Sequence, residues 1–260
     1  MKFQTLCSGS KGNCAVLTGG GATVLIDLGM SVPALEKALG ERNIKPEKID
    51  AVFITHEHTD HISGLDAFSK KYGKKVFVHE KGFLETAKKL YWTNHRLTSF
   101  GDGSFAFKGL TVSSFRCPHD SAYCCGYRFD DGTASVATAT DLGRADGLAS
   151  FAKGCGLVLL ESNHDPEMLR KGDYPYMLKK RVGGGSGHLS NEQAADAAVK
   201  MAKQGVRRIL LGHLSENNNT PETAFHAVVQ QLEKNGFTEG VDVIVDVVGQ
   251  WKPSEVYNVE

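Results

Sequence analysis

The chain has 260 residues, with 30 lysines and arginines against 30 aspartates and glutamates, and only 8% aromatic residues. That length can bury one large core, while the balanced charge argues neither for nor against a nucleic-acid partner, so any phosphate-binding surface has to be local. Sparse aromatics leave no evident platform for stacking bases, no stretch is long and apolar enough to span a membrane, and Met1-Lys2-Phe3-Gln4 lacks the apolar core of a secretion signal.

A soluble cytoplasmic protein is therefore expected, with its 6 cysteines reduced and mostly buried, since none falls in a C-x-x-C pair. The first predicted strand is 2–6, followed by the turn-like run Ser8-Gly9-Ser10-Lys11-Gly12-Asn13-Cys14, which by itself reads as a hairpin loop. Strands at 15–18 and 22–27 come next, the second ending on the carboxylate of Asp27. A lone aspartate there is ordinarily a turn or a helix cap. A helix is predicted over 31–39, with Ser31 as its cap and Gly40 as its stop.

The apolar run Ala51-Val52-Phe53-Ile54 reads as a buried strand. It delivers His56-Glu57-His58-Thr59-Asp60-His61, four potential metal ligands within six residues. Imidazoles suit zinc, iron or manganese, and a carboxylate shifts the preference toward harder ions. The alternative is a histidine-rich surface turn. Beyond it a helix is predicted over 63–72, with lysines that complement its dipole, then a strand at 76–79 ending in His79, read as a packed core histidine. Another helix is predicted over 82–91, and His95 is expected to be solvated.

A hairpin at 104–107 and 110–115 leads into Cys117-Pro118-His119, where a histidine just past a strand is placed as a further ligand. A second hairpin, 124–129 and 134–139, ends in Thr140-Asp141-Leu142-Gly143 and repeats the pattern of Asp27. A strand at 156–161 precedes Ser162-Asn163-His164-Asp165, in which His164 either faces the site or simply precedes a helix. Lys179, Lys180 and Arg181 and a glycine run then lead to His188-Leu189-Ser190-Asn191. Ser190 or Asn191 caps a helix running to 204, and a helix start beside cations is a ready anion site. A solvated basic face with a mobile loop is the alternative. The strand 207–211 ends in Gly212-His213, a helix follows over 221–232, and a strand at 241–248 closes the chain. No linker or repeat interrupts this order, so residues 1–260 read as a single domain.

The set His56, His58, Asp60, His61, His119, Asp141 and His213 resembles the full ligand complement of a binuclear metallo-β-lactamase-fold hydrolase. The strings around Ser8–Asn13, Gly187–Asn191 and Gly212–Asn218 look like the bacterial WalJ (YycJ) branch of that family. The resemblance implies an α+β fold, a four-layer αββα metallo-β-lactamase sandwich. It implies two divalent metal ions (zinc, manganese or iron), one on His56, His58 and His119, the other on Asp60, His61 and His213, with Asp141 bridging and Asp27 orienting the ligand loop. No cysteine takes a ligand position, which speaks against antibiotic hydrolysis. The activity implied is phosphodiester cleavage, foremost as a DNA exonuclease, with DNA as partner. A small-molecule phosphodiesterase or thioester hydrolase on the same metals is the alternative. Asp60 or Asp141 is expected to orient the nucleophile and His188 to protonate the leaving group. Lys179, Lys180, Arg181, Ser190 and Asn191 are the expected substrate contacts.

Overall fold

The computed structural model describes residues 1–260, in two seven-stranded sheets with helices on their outer faces. The first sheet holds β1 (Lys2–Gly9), β2 (Gly12–Gly19), β3 (Ala22–Ile26), β4 (Ala51–Ile54), β5 (Lys75–His79) and β6 (Leu97–Phe100). The second holds β7 (Ser104–Phe107), β8 (Leu110–Cys117), β9 (Cys124–Asp130), β10 (Ser135–Ala139), β11 (Leu157–Glu161), β12 (Arg208–Gly212) and β13 (Ile244–Val247). The last strand, β14 (Tyr257–Asn258), returns to pair antiparallel with β1. In each sheet antiparallel hairpin strands give way to a parallel run: β3 through β6 in one, β10 through β13 in the other. The helices are α1 (Val32–Gly40), α2 (Thr59–Ile62), α3 (Leu65–Tyr72), α4 (Phe83–Lys89), α5 (Leu148–Phe151), α6 (Pro166–Lys171), α7 (Tyr176–Val182), α8 (Asn191–Lys203) and α9 (Pro221–Lys234).

The layering follows from side-chain alternation along the parallel strands. Residues of a strand point alternately to its two faces, so a strand buried on both reads as a continuous apolar run. Phe53 and Ala51 enter the core between the sheets, whereas Val52 and Ile54 pack beneath α1 and α3. Leu157 and Leu159 face the first sheet, and Val158 and Leu160 face α8 and α9. Three separate apolar clusters result, one in each gap of a four-layer αββα sandwich. Phe53 is fully buried at the middle of the central gap, with the rings of Phe77, Phe107, Tyr127 and Phe129 all within 5.7 Å of its own. Hydrogen bonds cross between the sheets at one end, among them the Tyr127 hydroxyl to the Ile54 carbonyl (2.6 Å) and the Cys125 amide to that of Thr55 (3.1 Å).

Most predicted elements are present within one or two residues, and the departures have local causes. The helix expected over 63–72 is split, because the ligand loop closes a turn of its own: Ser63 N donates to Thr59 O before α3 begins at Leu65. The closing strand is cut from 241–248 to Ile244–Val247, since the amides of Val241 and Asp242 turn back onto Thr238 O. Residues 176–182, for which no element was predicted, form α7, in which the amides of Leu178 and Lys179 donate to Pro175 O. The short strand β6 was not anticipated, because its half-buried residues at a sheet edge carry little apolar signal. All six cysteines are buried and unpaired, His79 is buried with its ring stacked on Tyr123, and His95 is exposed. No helix is long and apolar enough to cross a membrane.

Phe53→Ala empties the centre of the aromatic cluster, a substitution that costs roughly 3–5 kcal/mol in a packed core. Urea unfolding should show that loss as a lower midpoint with an unchanged slope. A loss under about 1 kcal/mol would mean the inter-sheet core does not depend on this ring.

Candidate metal centre

All seven residues expected as ligands meet at one edge of the sandwich, at the carboxyl ends of β4, β8, β10 and β12, with Asp27 beside them at the end of β3. The loop from β4 is held by Asp27. Its carboxylate accepts from Thr55 N (2.8 Å) and Thr55 Oγ1 (2.9 Å) and meets His61 Nδ1 at 2.8 Å. That contact uses one ring nitrogen of His61 and turns the other, Nε2, toward Asp60 Oδ2 (3.4 Å) and Asp141 Oδ2 (3.1 Å). Asp27 therefore stands behind the ligand loop, where a carboxylate fixes the orientation and basicity of a ligating histidine. Gly29 is required by the same packing: a Cβ there would lie 1.5 Å from the Asp60 carbonyl oxygen.

The second sheet closes the site. His119 Nδ1 meets Gly187 O (3.1 Å), leaving Nε2 at 3.3 Å from His58 Nδ1 and 3.6 Å from Asp141 Oδ1. Asp141 lies between the two groups, with its other oxygen 3.1 Å from His213 Nδ1. His56, His58 and His119 form one cluster of mutually close donor atoms, and His56, His61 and Asp141 form another.

The donor set fits divalent cations on three observations. His56 Nε2, Asp141 Oδ2 and His213 Nδ1 are buried and have no hydrogen-bond partner, although they converge on one space. Buried polar atoms are otherwise nearly always paired. Burial holds His56 and His58 well toward the neutral form, the state in which imidazole donates to a metal. Burial also opposes charge on His61, yet Asp27 and Asp141 outweigh it and raise its pKa; the negative surroundings that favour a proton there equally favour a metal cation. Asp141, despite its burial, is held well below the usual carboxylate range by His213 and His61.

Two functional side chains were missed. Glu161 at the end of β11 is fully buried; its Oε1 lies 2.7 Å from His188 Nδ1, and its Oε2 accepts from Leu142 N (2.9 Å). Glu161 Oε1 is also 3.4 Å from His213 Nδ1, and Asp141, Glu161, His188 and His213 form a third cluster of close donor atoms; the shorter contact makes Glu161 the carboxylate that orients His188. An apolar strand ending in a carboxylate was its signal, as for Asp27 and Asp141. Asn13, in the turn read as a hairpin loop, donates its amide to Asp60 Oδ2 (3.3 Å) and lies 3.0 Å from His61 Nε2, and only its place in the folded hairpin reveals this.

Of the expected substrate residues, Arg181 pairs with Asp120 beside His119, and Lys179 and Lys180 lie on α7. Ser190 caps α8 in a reciprocal box with Gln193. Asn191 departs from expectation: its side chain is buried and hydrogen-bonded to Ser162 and Asn219, which removes it from the substrate set. His164 lies outside the metal cluster, buried and with Nδ1 unpartnered.

Residues 8–213 match the sequence profile of the metallo-beta-lactamase superfamily. The chain belongs to that superfamily. It is 35% identical over 253 residues to exodeoxyribonuclease WalJ of Streptococcus pneumoniae, covering 93% of this chain and 91% of that one. Exodeoxyribonuclease YycJ of Bacillus anthracis is 34% identical over 250 residues, with 92% of each chain covered. Among solved structures, the metallo-beta-lactamase fold protein YhfI from Bacillus subtilis superposes with a TM-score of 0.72 at 20% identity, over 97% of this chain and 98% of that one. These relatives match along both halves of the sandwich, as a metallo-beta-lactamase centre assembled from both sheets requires.

Asp27→Ala should lower metal affinity about 10–100-fold, the usual cost of removing the carboxylate behind a ligating histidine. Competition against a chelator would measure it, with circular dichroism to check the fold. Unchanged affinity would deny Asp27 its orienting role.

Proposed function

We propose that the chain is a binuclear metal-dependent phosphodiesterase of the cytoplasm, a single domain acting as a DNA exonuclease. The observation that carries this reading is the pairing of an intact His/Asp donor cluster with a charged proton donor, His188 on Glu161, at its side. The names of the WalJ and YycJ relatives support DNA as the substrate. His56, His58 and His119 would hold one ion, Asp60, His61 and His213 the other, and Asp141 would serve both. A bound pair of zinc, manganese or iron ions would acidify the attacking water and polarise the phosphoryl group.

The chain's own residues divide the remaining work. Asp60 has a side chain 23% exposed against 3% for Asp141, so it is the carboxylate placed to orient a water arriving from solvent. As the new P–O bond forms and the old one breaks, the departing alkoxide needs a proton. Burial opposes charge on His188, but Glu161 and then Asp141 overcome it and raise its pKa to about 9, so the ring holds that proton at neutral pH. It ends the step neutral, with Glu161 holding the ring in place. Arg181 is paired with Asp120, the neighbour of His119, and would hold that carboxylate beside the donor cluster.

Metal analysis together with turnover of bis-p-nitrophenyl phosphate tests the core of this reading. The wild type should carry about two ions per chain, and His58→Ala and Asp141→Ala should lose both metal and activity. Bound metal without phosphodiester turnover would overturn it. His188→Ala should lose about 100-fold or more on DNA, whose alkoxide must be protonated, and far less on a nitrophenyl ester, whose leaving group departs as the anion. Equal losses on both substrates would remove His188 as the acid.

The pH profile gives an independent check. His188 donates only while protonated, so kcat on DNA should fall as pH rises through about 9. Glu161→Gln removes the charge that raises this pKa, and the fall should move to lower pH. An alkaline limb that stays in place would assign it to another group.

A further inference from the structure

Beside the metal centre, on the other side of the segment 188–190, lies an open groove of about 850 Å³ between α6, α7 and the start of α8. That volume is in the range of small-ligand sites, but only two of its eleven lining residues are hydrophobic, which suits a charged ligand. Three cations border it, Arg170, Lys179 and Lys180, against one carboxylate, Glu192. Arg170 is partly neutralised by Glu167, and Lys179 donates to Arg170 O, whereas Lys180 makes no ion pair or hydrogen bond. Positive charge is thus concentrated on the α7 side, with Glu192 opposing it from α8. His164 lines the groove, 3% exposed, and its Nδ1 has no partner. Tyr176 presents a largely exposed ring at the rim, 76% accessible.

The groove is joined to the catalytic machinery by backbone. His164 pairs with Ser190 in a parallel bridge, and Asn163 N donates to Leu189 O at 2.9 Å. Ser190, which lines the groove, is two residues from His188, at most about 7 Å of extended chain. We propose that this groove holds the nucleotide next to the cleaved bond, its phosphate among Lys180, Lys179 and Arg170 and its base between His164 and Tyr176. A phosphate balances the excess cations, and a base supplies a polar edge to His164 Nε2, the ring nitrogen toward Gly183, and an aromatic face to the tyrosine. The inference rests on the phosphodiesterase reading of the neighbouring centre and adds to it a nucleotide subsite with its own residues.

The test is binding without turnover. Fluorescence anisotropy of a 5′-phosphorylated, 3′-labelled hexathymidylate with cleavage-resistant phosphorothioate linkages, on the metal-loaded full chain, reads the groove while catalysis is suppressed. Lys180→Ala should weaken binding about 5-fold and reduce the salt slope by about 0.7, one phosphate contact on a single strand. Gly183→Leu tests the steric side. A Cβ at 183 meets its neighbours, His164 Nε2 among them, at no closer than 3.5 Å, so the substitution is accommodated while its side chain fills the groove. It should weaken binding with the salt slope unchanged. Competition with thymidine 5′-monophosphate separates a strand site from a site for the released nucleotide, and displacement by either keeps the inference. Wild-type binding equal to that of both variants, or no wild-type binding, overturns it. Turnover of bis-p-nitrophenyl phosphate by the metal-loaded wild type, read separately, tells a failed subsite from a failed phosphodiesterase.

Discussion

Asp141 is the charge on which the site depends. It is a nearly inaccessible carboxylate with the imidazoles of His61, His119, His188 and His213 all within 3.7 Å of its two oxygens. An isolated carboxylate in that position would be very costly. Positive charge must therefore gather around it, whether as protons on the rings or as metal cations held by the same atoms. The strands that end there come from both sheets, so this one compensation decides how the two halves of the sandwich meet at their functional edge.

The backbone is bent to make that meeting possible. Asp27, Asp141 and His213 each adopt a left-handed conformation, with φ of 58°, 59° and 54°. For residues other than glycine this costs of order 1–3 kcal/mol. Each sits just beyond a strand, at the point where an extended chain must turn its side chain toward the edge of the sheet. Local bonds over-determine these turns: Asp27 by Thr55 and His61, and His213 by Ser8 Oγ on its amide and Asn163 Nδ2 on its carbonyl. Strain is concentrated where the ligands are, and the strands leading to them are regular.

Much of this was legible in the sequence because the ligands are clustered and the strands that carry them are apolar on both faces. Ala51–Ile54, His56–His61 and the repeated Asp-Leu-Gly are local patterns whose meaning survives without coordinates. What escaped was non-local. Glu161 gains its role only by facing His188, 27 residues away, and Asn13 by facing His61, 48 residues away. Asn191 was misplaced for the opposite reason: as a helix-start residue beside cations it looked available, and only packing shows its amide committed to Asn219 and Ser162. The basic run 179–181 gave no helix signal because α7 is short and runs directly into the glycines that follow it.

His56, His58, Asp60 and His61 belong to the first sheet, and His119, Asp141 and His213 to the second. Cations held by both sets would act as a clasp across the sandwich, adding to the few hydrogen bonds that cross there, such as those from Tyr127, Cys125 and His213. Their binding energy is then shared with folding: the unfolded chain scatters the seven donors over more than 150 positions and holds the ions far less tightly. By mass action each tenfold rise in free metal above its dissociation constant adds about 1.4 kcal/mol per site to the folded state. The durability of the protein would thereby be coupled to metal supply, so that depletion would loosen the two halves from each other as well as silence the reaction between them.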